Sequence, residues 1–346
     1  MKVTKPFYLL SLVALALTGC NSSKGGGGGG SKLKPLVLTE EQKAIYEQYY
    51  CNQTDCFGNE GRTYDIINKV GADLMLELHK YLIDQHHHYL IYSKSAANEV
   101  KAELFEKVDK NDEGQIELFY TGKTISTYGS GQNREHVWPC ANSGGLWYRD
   151  ADAYEQKIDT NINYWGGGSD AYHIRPADAD VNEIRSNSRF YEFKDGEKYE
   201  EVGEDGGLYT IKIDSTVSRK KVEVDNVYKG DTARLLAYLY VHYTRMGYDV
   251  YVSKDDPKKP VYTKEEAVEF IPGSHGQGHD PNVCGTLDFT KIFAYSKEAD
   301  AIKVLKAWNK IDDPSSIEKH RNDAVTEIQG NRNPFVDFPE LIDRLF

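Results

Sequence analysis

Two halves of one motif constrain this chain more than anything else in it. Gly131-Gln132-Asn133-Arg134-Glu135-His136-Val137-Trp138-Pro139 reads as a short strand ending in two side chains competent to bind metal or move a proton. Asp170-Ala171-Tyr172-His173 and Val181-Asn182-Glu183-Ile184-Arg185-Ser186-Asn187 read as strand, turn and helix. Adjacent residues on a regular strand face opposite ways, so Glu135 and His136 can serve one group only if the strand ends or twists there. Pro139 marks such an ending. A turn near Pro176 and Ala177 is expected to start a helix from about Asp178. On that helix Asn182, Arg185 and Arg189, spaced by three and four, share a face.

These side-chain types suit a phosphodiester. Its hydrolysis wants a cation at phosphorus, a base for water and stabilisation of the departing oxygen. His136 is the expected base, since an ordinary histidine titrates near neutrality. Glu135 is the expected hard ligand for a divalent ion, and Asn182 adds a carbonyl oxygen. Arg134, Arg185 and Arg189 are cations suited to phosphate contact, although Arg134 beside Glu135 also fits a surface ion pair. His173 is expected to be a buried structural or orienting residue, and Asn187 a hydrogen-bonding clamp.

The N-terminus states a compartment. Lys2 and Lys5 precede an apolar run over residues 7–16, too short and too early for a membrane span, and Leu17-Thr18-Gly19-Cys20 follows. That reads as an export signal with a lipobox, Cys20 being the acylated residue. Six consecutive glycines at 25–30 follow. They have maximal backbone freedom and nothing to bury, so they read as a flexible tether. Residues 1–20 are thus expected to be signal and lipobox, 21–38 tether, and 39–346 a single catalytic domain.

Composition argues partly against nucleic acid. The net charge is −12, and polyanions attract basic surfaces; a local positive site is the requirement, and acidic runs such as residues 197–205 can sit elsewhere. Of the five cysteines, the anchor takes Cys20. Cys51, Cys56, Cys140 and Cys284 then suggest disulfides in an exported protein. Three pairings exist, of which Cys51 with Cys56 and Cys140 with Cys284 is preferred.

Elsewhere the pattern predicts a helix capped by Thr39 with Gln42 in the capping-box position. Further helices are expected over 71–89, 96–108, 232–246, 298–309 and 317–329, with hairpins between 194 and 227. His86-His87-His88 reads as a solvated or capping feature, because three adjacent side chains on a helix point in three directions. His275 and His279 fall in a glycine-bearing loop.

At the motif residues the sequence resembles the bacterial endonuclease I family of secreted non-specific nucleases, in the ββα-metal or His-Me finger superfamily. Asn133-Arg134-Glu135-His136-Val137-Trp138-Pro139 carries the first half of the resemblance. Asp170-x-x-His173-x-x-Pro176 and Val181-Asn182-x-x-Arg185-Ser186-Asn187 carry the second. Lys229-Gly230-Asp231-Thr232-Ala233-Arg234 and Gly330-Asn331-Arg332-Asn333-Pro334-Phe335-Val336-Asp337 extend it. The resemblance implies an α+β fold, a ββα-metal core embedded in a mostly helical domain with hairpin insertions. It implies His136 as general base and Glu135 and Asn182 as ligands of one Mg²⁺, with Mn²⁺ or Ca²⁺ as alternatives. It implies DNA, and often RNA, as substrate, and 5′-phosphate and 3′-hydroxyl products. A phosphate-clamping arginine is expected, Arg149 and Arg185 being the candidates. The expected protein is a monomer, lipid-anchored to the bacterial envelope. The rival readings are a non-catalytic nucleic-acid-binding lipoprotein and a phosphodiesterase for smaller substrates.

Overall fold

Thr39 opens the first helix, α1 (Glu40–Ile45), with its side chain accepting the Gln42 N–H while the Gln42 side chain accepts the Thr39 N–H. This reciprocal pair satisfies two of the donors a helix start leaves over. The computed structural model describes residues 35–51, 66–88, 90, 100–111, 113–139, 142, 147–148, 165–217, 220–243, 251–252, 260–261 and 287–346. From Leu36 onward these belong to one compact unit. The expected signal, lipobox and most of the tether lie outside the described residues, as do Cys20, Cys56, Cys140, Cys284, Arg149, His275 and His279. Cys51 is disulfide-bonded, to a partner that also lies outside them. No helix among the described residues is long and apolar enough to cross a membrane.

Helix α2 (Gly71–Gln85) buries Leu74, Leu78, Tyr81 and Leu82, the stripe its helical spacing predicts. The described part of the helix expected over 96–108 is a π-helical segment, Val100–Val108. Ile116, Leu118 and Tyr120 are all buried, and β1 (Ile116–Glu117) pairs antiparallel with β2 (Thr124–Ile125) across the intervening turn.

The motif then builds a strand pair and a helix. β3 (Gln132–His136) precedes β4 (Trp147–Tyr148) and β5 (Trp165–Gly166), which pair with each other. β3 itself pairs antiparallel with β6 (Ile174–Asp178), Glu135 opposite Arg175 and His136 opposite Ile174. Pro176 and Ala177 therefore lie within a strand, a correction to the expected turn. Pro176 has no N–H to give to a ladder, and its carbonyl accepts the Phe119 N–H at 2.8 Å. Asp178 is the true boundary: its carboxylate accepts the N–H groups of Asp180 and Val181 and starts α3 (Ala179–Arg185). Ser186, at φ 48°, ends it.

β7 (Arg189–Phe190), β8 (Glu200–Val202), β9 (Ile211–Asp214) and β10 (Lys221–Glu223) form a sheet in the order β7-β10-β9-β8. β8–β9 and β9–β10 are the expected antiparallel hairpins, and β7 joins parallel to β10. Arg189 thus starts a strand and does not share the α3 face with Asn182 and Arg185, because the helix ends at Arg185.

Helix α4 (Lys229–Tyr243) is buried on nearly every side, which places it at the centre of the core. It begins at Lys229 rather than Thr232, since Asp225 caps a 3-10 turn that runs directly into it. α5 (Phe289–Ile292), α6 (Glu298–Ile311) and α7 (Ser316–Gln329) follow. The turn-rich tail packs back as α8 (Pro334–Asp337) and α9 (Leu341–Leu345). Buried Arg332 makes a two-pronged pair with Asp337, at 2.8 and 2.7 Å, and Tyr50 donates to the same carboxylate. Gly330 must be glycine. Its φ is +99°, and a Cβ there would meet the Gln85 carbonyl at 2.3 Å. That approach ties the end of α7 to the end of α2.

Candidate functional site

β3 ends where the motif predicts, and its last two residues have different surroundings. Glu135 is buried. Its Oε1 accepts the Tyr120 hydroxyl at 2.6 Å and lies 3.3 Å from Arg185 Nη1. Tyr120 reaches it from a backbone with φ 78°, a left-handed conformation costing a side-chain-bearing residue roughly 1–3 kcal/mol. Arg185 is completely enclosed. It donates to the carbonyls of Val137 and Ser186, and its guanidinium lies 5.1 Å from the Phe190 ring centre. It holds Glu135 and the strand end, so the solvent-facing guanidinium expected from helical spacing is not what α3 presents.

His136 is half-buried, and its Nε2 sits 2.9 Å from the Gly168 carbonyl. Burial, reinforced by His173 beside it, lowers its pKa well below the ordinary histidine value. The His173 ring lies 5.0 Å away, edge to face. Both nitrogens of His173 are held by backbone: Nδ1 donates to the Gly167 carbonyl at 2.5 Å, and Nε2 accepts the Trp138 N–H at 3.0 Å. Burial lowers its pKa to about 4. Asn182, half-buried on α3, donates its amide N–H to Asn133 Oδ1 at 2.6 Å. Asn187 is exposed, and its carbonyl accepts the Asn142 side chain at 2.8 Å. Arg134 is half-buried on β3. Arg189 donates to the Thr290 carbonyl at 2.9 Å.

The turn 167–170 joins this corner to a second one that sequence reasoning missed. His86, Asp170 and His242 are all buried, and they bring ligand atoms within 4.8 Å of one another. They form a group able to hold a divalent ion, the one such gathering of three His, Cys, Asp or Glu side chains among the described residues. Asp170 Oδ2 accepts the hydroxyls of Tyr238 and Tyr243, each at 2.7 Å. Its Oδ1 accepts the Tyr172 N–H at 2.8 Å. These donors and the two histidines hold the carboxyl well below the usual carboxylate range despite its burial. His86, expected to be a solvated cap, is the C-cap of α2 but turns inward. Of the three neighbouring histidines, which follow the helix rather than lie on it, His87 is exposed, His88 half-buried and His86 enters the core. The spacing of Tyr238 and His242 on α4 was the available signal, but nothing in the chain order joins it to residues 86 and 170.

The sequence matches the Endonuclease I family over residues 75–266 and 282–340. An extracellular ribonuclease of Bacillus amyloliquefaciens is 32% identical over 215 residues, covering 62% of this chain and 53% of that one. An extracellular ribonuclease of Bacillus subtilis (strain 168) is 31% identical over 286 residues, covering 80% of this chain and 75% of that one. The chain therefore spans about half the length of the first relative and three quarters of the second. With the family match running through both halves of the β3–β6–α3 motif and on to the tail, this chain belongs to the Endonuclease I family of His-Me finger nucleases.

Proposed function

We propose that the protein is an exported, metal-dependent endonuclease that hydrolyses phosphodiester bonds of RNA and DNA, leaving 5′-phosphate and 3′-hydroxyl ends. The observation that carries the reading is the orientation of His136. A carbonyl oxygen only accepts, so the contact with Gly168 puts the imidazole proton on Nε2 and the lone pair on Nδ1. Its depressed pKa keeps the ring neutral at pH 7, the form a general base needs. In this reading Nδ1 takes the proton from the attacking water, and the Gly168 carbonyl steadies the imidazolium that results.

Glu135 and Asn182 are the residues that would hold a single divalent ion. Their donor chemistry fits: a carboxylate fixed by Tyr120 and Arg185, and an amide whose N–H is committed to Asn133, so that its carbonyl oxygen is the end left to offer. Oxygen donors of this kind suit Mg²⁺, Mn²⁺ or Ca²⁺. When bound, such an ion supplies positive charge to the phosphate oxygens and the departing 3′-oxygen. Arg185 positions Glu135 rather than touching substrate. Arg134 and Arg149 are assigned to the substrate phosphates. Backbone contacts of that kind position a strand without specifying its sequence.

RNA is included because both relatives are named extracellular ribonucleases, and their compartment agrees with the Lys2–Cys20 leader. Lipid anchorage through Cys20 is proposed from that leader and the glycine tether. The test is cleavage of supercoiled plasmid and of RNA by the purified chain, with Mg²⁺ and then with EDTA. Metal-dependent loss of either substrate, with 5′-phosphate ends, is expected. Failure to cut both would sink the reading in favour of a binding lipoprotein.

A further inference from the structure

We propose that His86, Asp170 and His242 bind a first-row transition-metal ion of the Zn²⁺ type, as a structural clasp separate from the oxygen-lined site at Glu135 and Asn182. Four observations converge. The first is spacing. His86 Nδ1 and His242 Nδ1 lie 4.0 and 3.6 Å from Asp170 Oδ2. Those gaps exceed a hydrogen bond. Ligands roughly 2.0–2.1 Å from a tetrahedral ion stand roughly 3.3 Å apart, so closures of about 0.7 Å for His86 and about 0.3 Å for His242 bring both pairs to that distance.

The second is the state of the His86 ring. Its Nε2 donates to the His88 carbonyl at 3.0 Å, which places the lone pair on Nδ1, the nitrogen turned toward Asp170. A backbone carbonyl on the far nitrogen is how ligating histidines are oriented. The third is rigidity. Tyr238 and Tyr243 hold Asp170 Oδ2, Tyr172 N–H holds Oδ1, and the Tyr238 hydroxyl also lies 3.0 Å from His242 Nδ1. The carboxylate is thus set before any ion arrives, and binding displaces the proton that His242 Nδ1 shares with the Tyr238 hydroxyl. The fourth is chemistry. Two imidazoles and one carboxylate favour Zn²⁺, Co²⁺ or Ni²⁺ over Mg²⁺, and they leave one tetrahedral position for water or a tyrosine oxygen.

The clasp would join the end of α2, the turn 167–170 and the last turn of α4, three segments far apart in the chain. Its test needs no cleavage assay, so it stands or falls independently of the nuclease reading. The purified chain is stripped with EDTA, dialysed and titrated with Co²⁺, whose tetrahedral complexes absorb visible light. One equivalent is expected to bind, with tetrahedral absorption that a large excess of Mg²⁺ does not abolish. The signal is expected to persist in His136→Ala and Glu135→Gln and to vanish in His86→Gln and His242→Gln. A signal lost in the first pair and kept in the second would overturn the proposal. Should the second pair fail to fold, the wild-type chain decides: its Tm is expected to rise with Zn²⁺ concentration. A flat Tm with no tetrahedral Co²⁺ absorption would overturn the proposal as well.

Discussion

The corner at the end of β3 and the corner around Asp170 share one short turn but solve different problems. At the first, Glu135 is held on one oxygen by Tyr120 and Arg185, His136 is half-buried, and Asn182 sits on the neighbouring helix. At the second, His86, Asp170 and His242 are buried in the core, where Asp170 collects two tyrosine hydroxyls and a backbone N–H beside the two histidines. The turn serves both. Gly167 and Gly168 turn their carbonyls to His173 and His136, while the Asp170 side chain points the other way into the sealed network. A half-open site needs its reactive groups oriented by something that does not move. The sealed network supplies that anchor, and the difference in burial separates chemistry from support.

Breaking the anchor carries the largest effect on stability. Asp170→Ala takes the acceptor from the buried Tyr172 N–H and Tyr238 hydroxyl and from the half-buried Tyr243 hydroxyl, and buried donors that lose their partner cost about 1–3 kcal/mol each. A loss of roughly 3–5 kcal/mol is expected in chemical denaturation. A variant as stable as wild type would remove the anchor from the account.

Acid comes next, because histidines kept neutral by burial must take up protons. His79 and His173 both titrate near pH 4 in the folded chain, against about 6.5 when unfolded. The unfolded chain therefore binds more protons between those values. Stability is complete above about pH 6.5 and falls as pH drops toward 4, by on the order of 3 kcal/mol for each group. A Tm unchanged between pH 7 and pH 4.5 would contradict this burial.

Smaller effects separate the two corners further. Asn133→Ala releases the Asn182 amide, and losing such an orienting partner weakens metal use by about 10–100-fold. The readout is the Mg²⁺ concentration giving half-maximal cleavage, with Tm unchanged. Thr39→Ala, remote from both corners, removes one helix cap and costs about 1 kcal/mol, with no change in cleavage rate.

What the sequence revealed follows from how local each cause is. The Thr39 cap, the apolar stripe of α2 and the hairpins of β8, β9 and β10 rest on neighbours in the chain, and all are readable there. The strand–strand–helix motif is readable because its residues fall into two short runs. Pro176 misleads, since a strand tolerates proline where the ladder asks for no N–H, and that depends on the partner strand. Arg185 misleads too: helical spacing gives a face, but not which side of the helix meets Phe190 and Glu135. The group at residues 86, 170 and 242 is unreadable for the plainest reason, that only the packing of α2 and α4 brings those three segments together.

The measurement closest to the central claim is the Mg²⁺-dependent cleavage rate of His136→Ala, with and without added imidazole. General-base catalysis contributes typically 10²–10⁴-fold, so a loss of about that size is expected, partly restored by imidazole and not by imidazole with EDTA. Cleavage at the wild-type rate by His136→Ala, with no imidazole present, would contradict the assignment of chemistry to the end of β3.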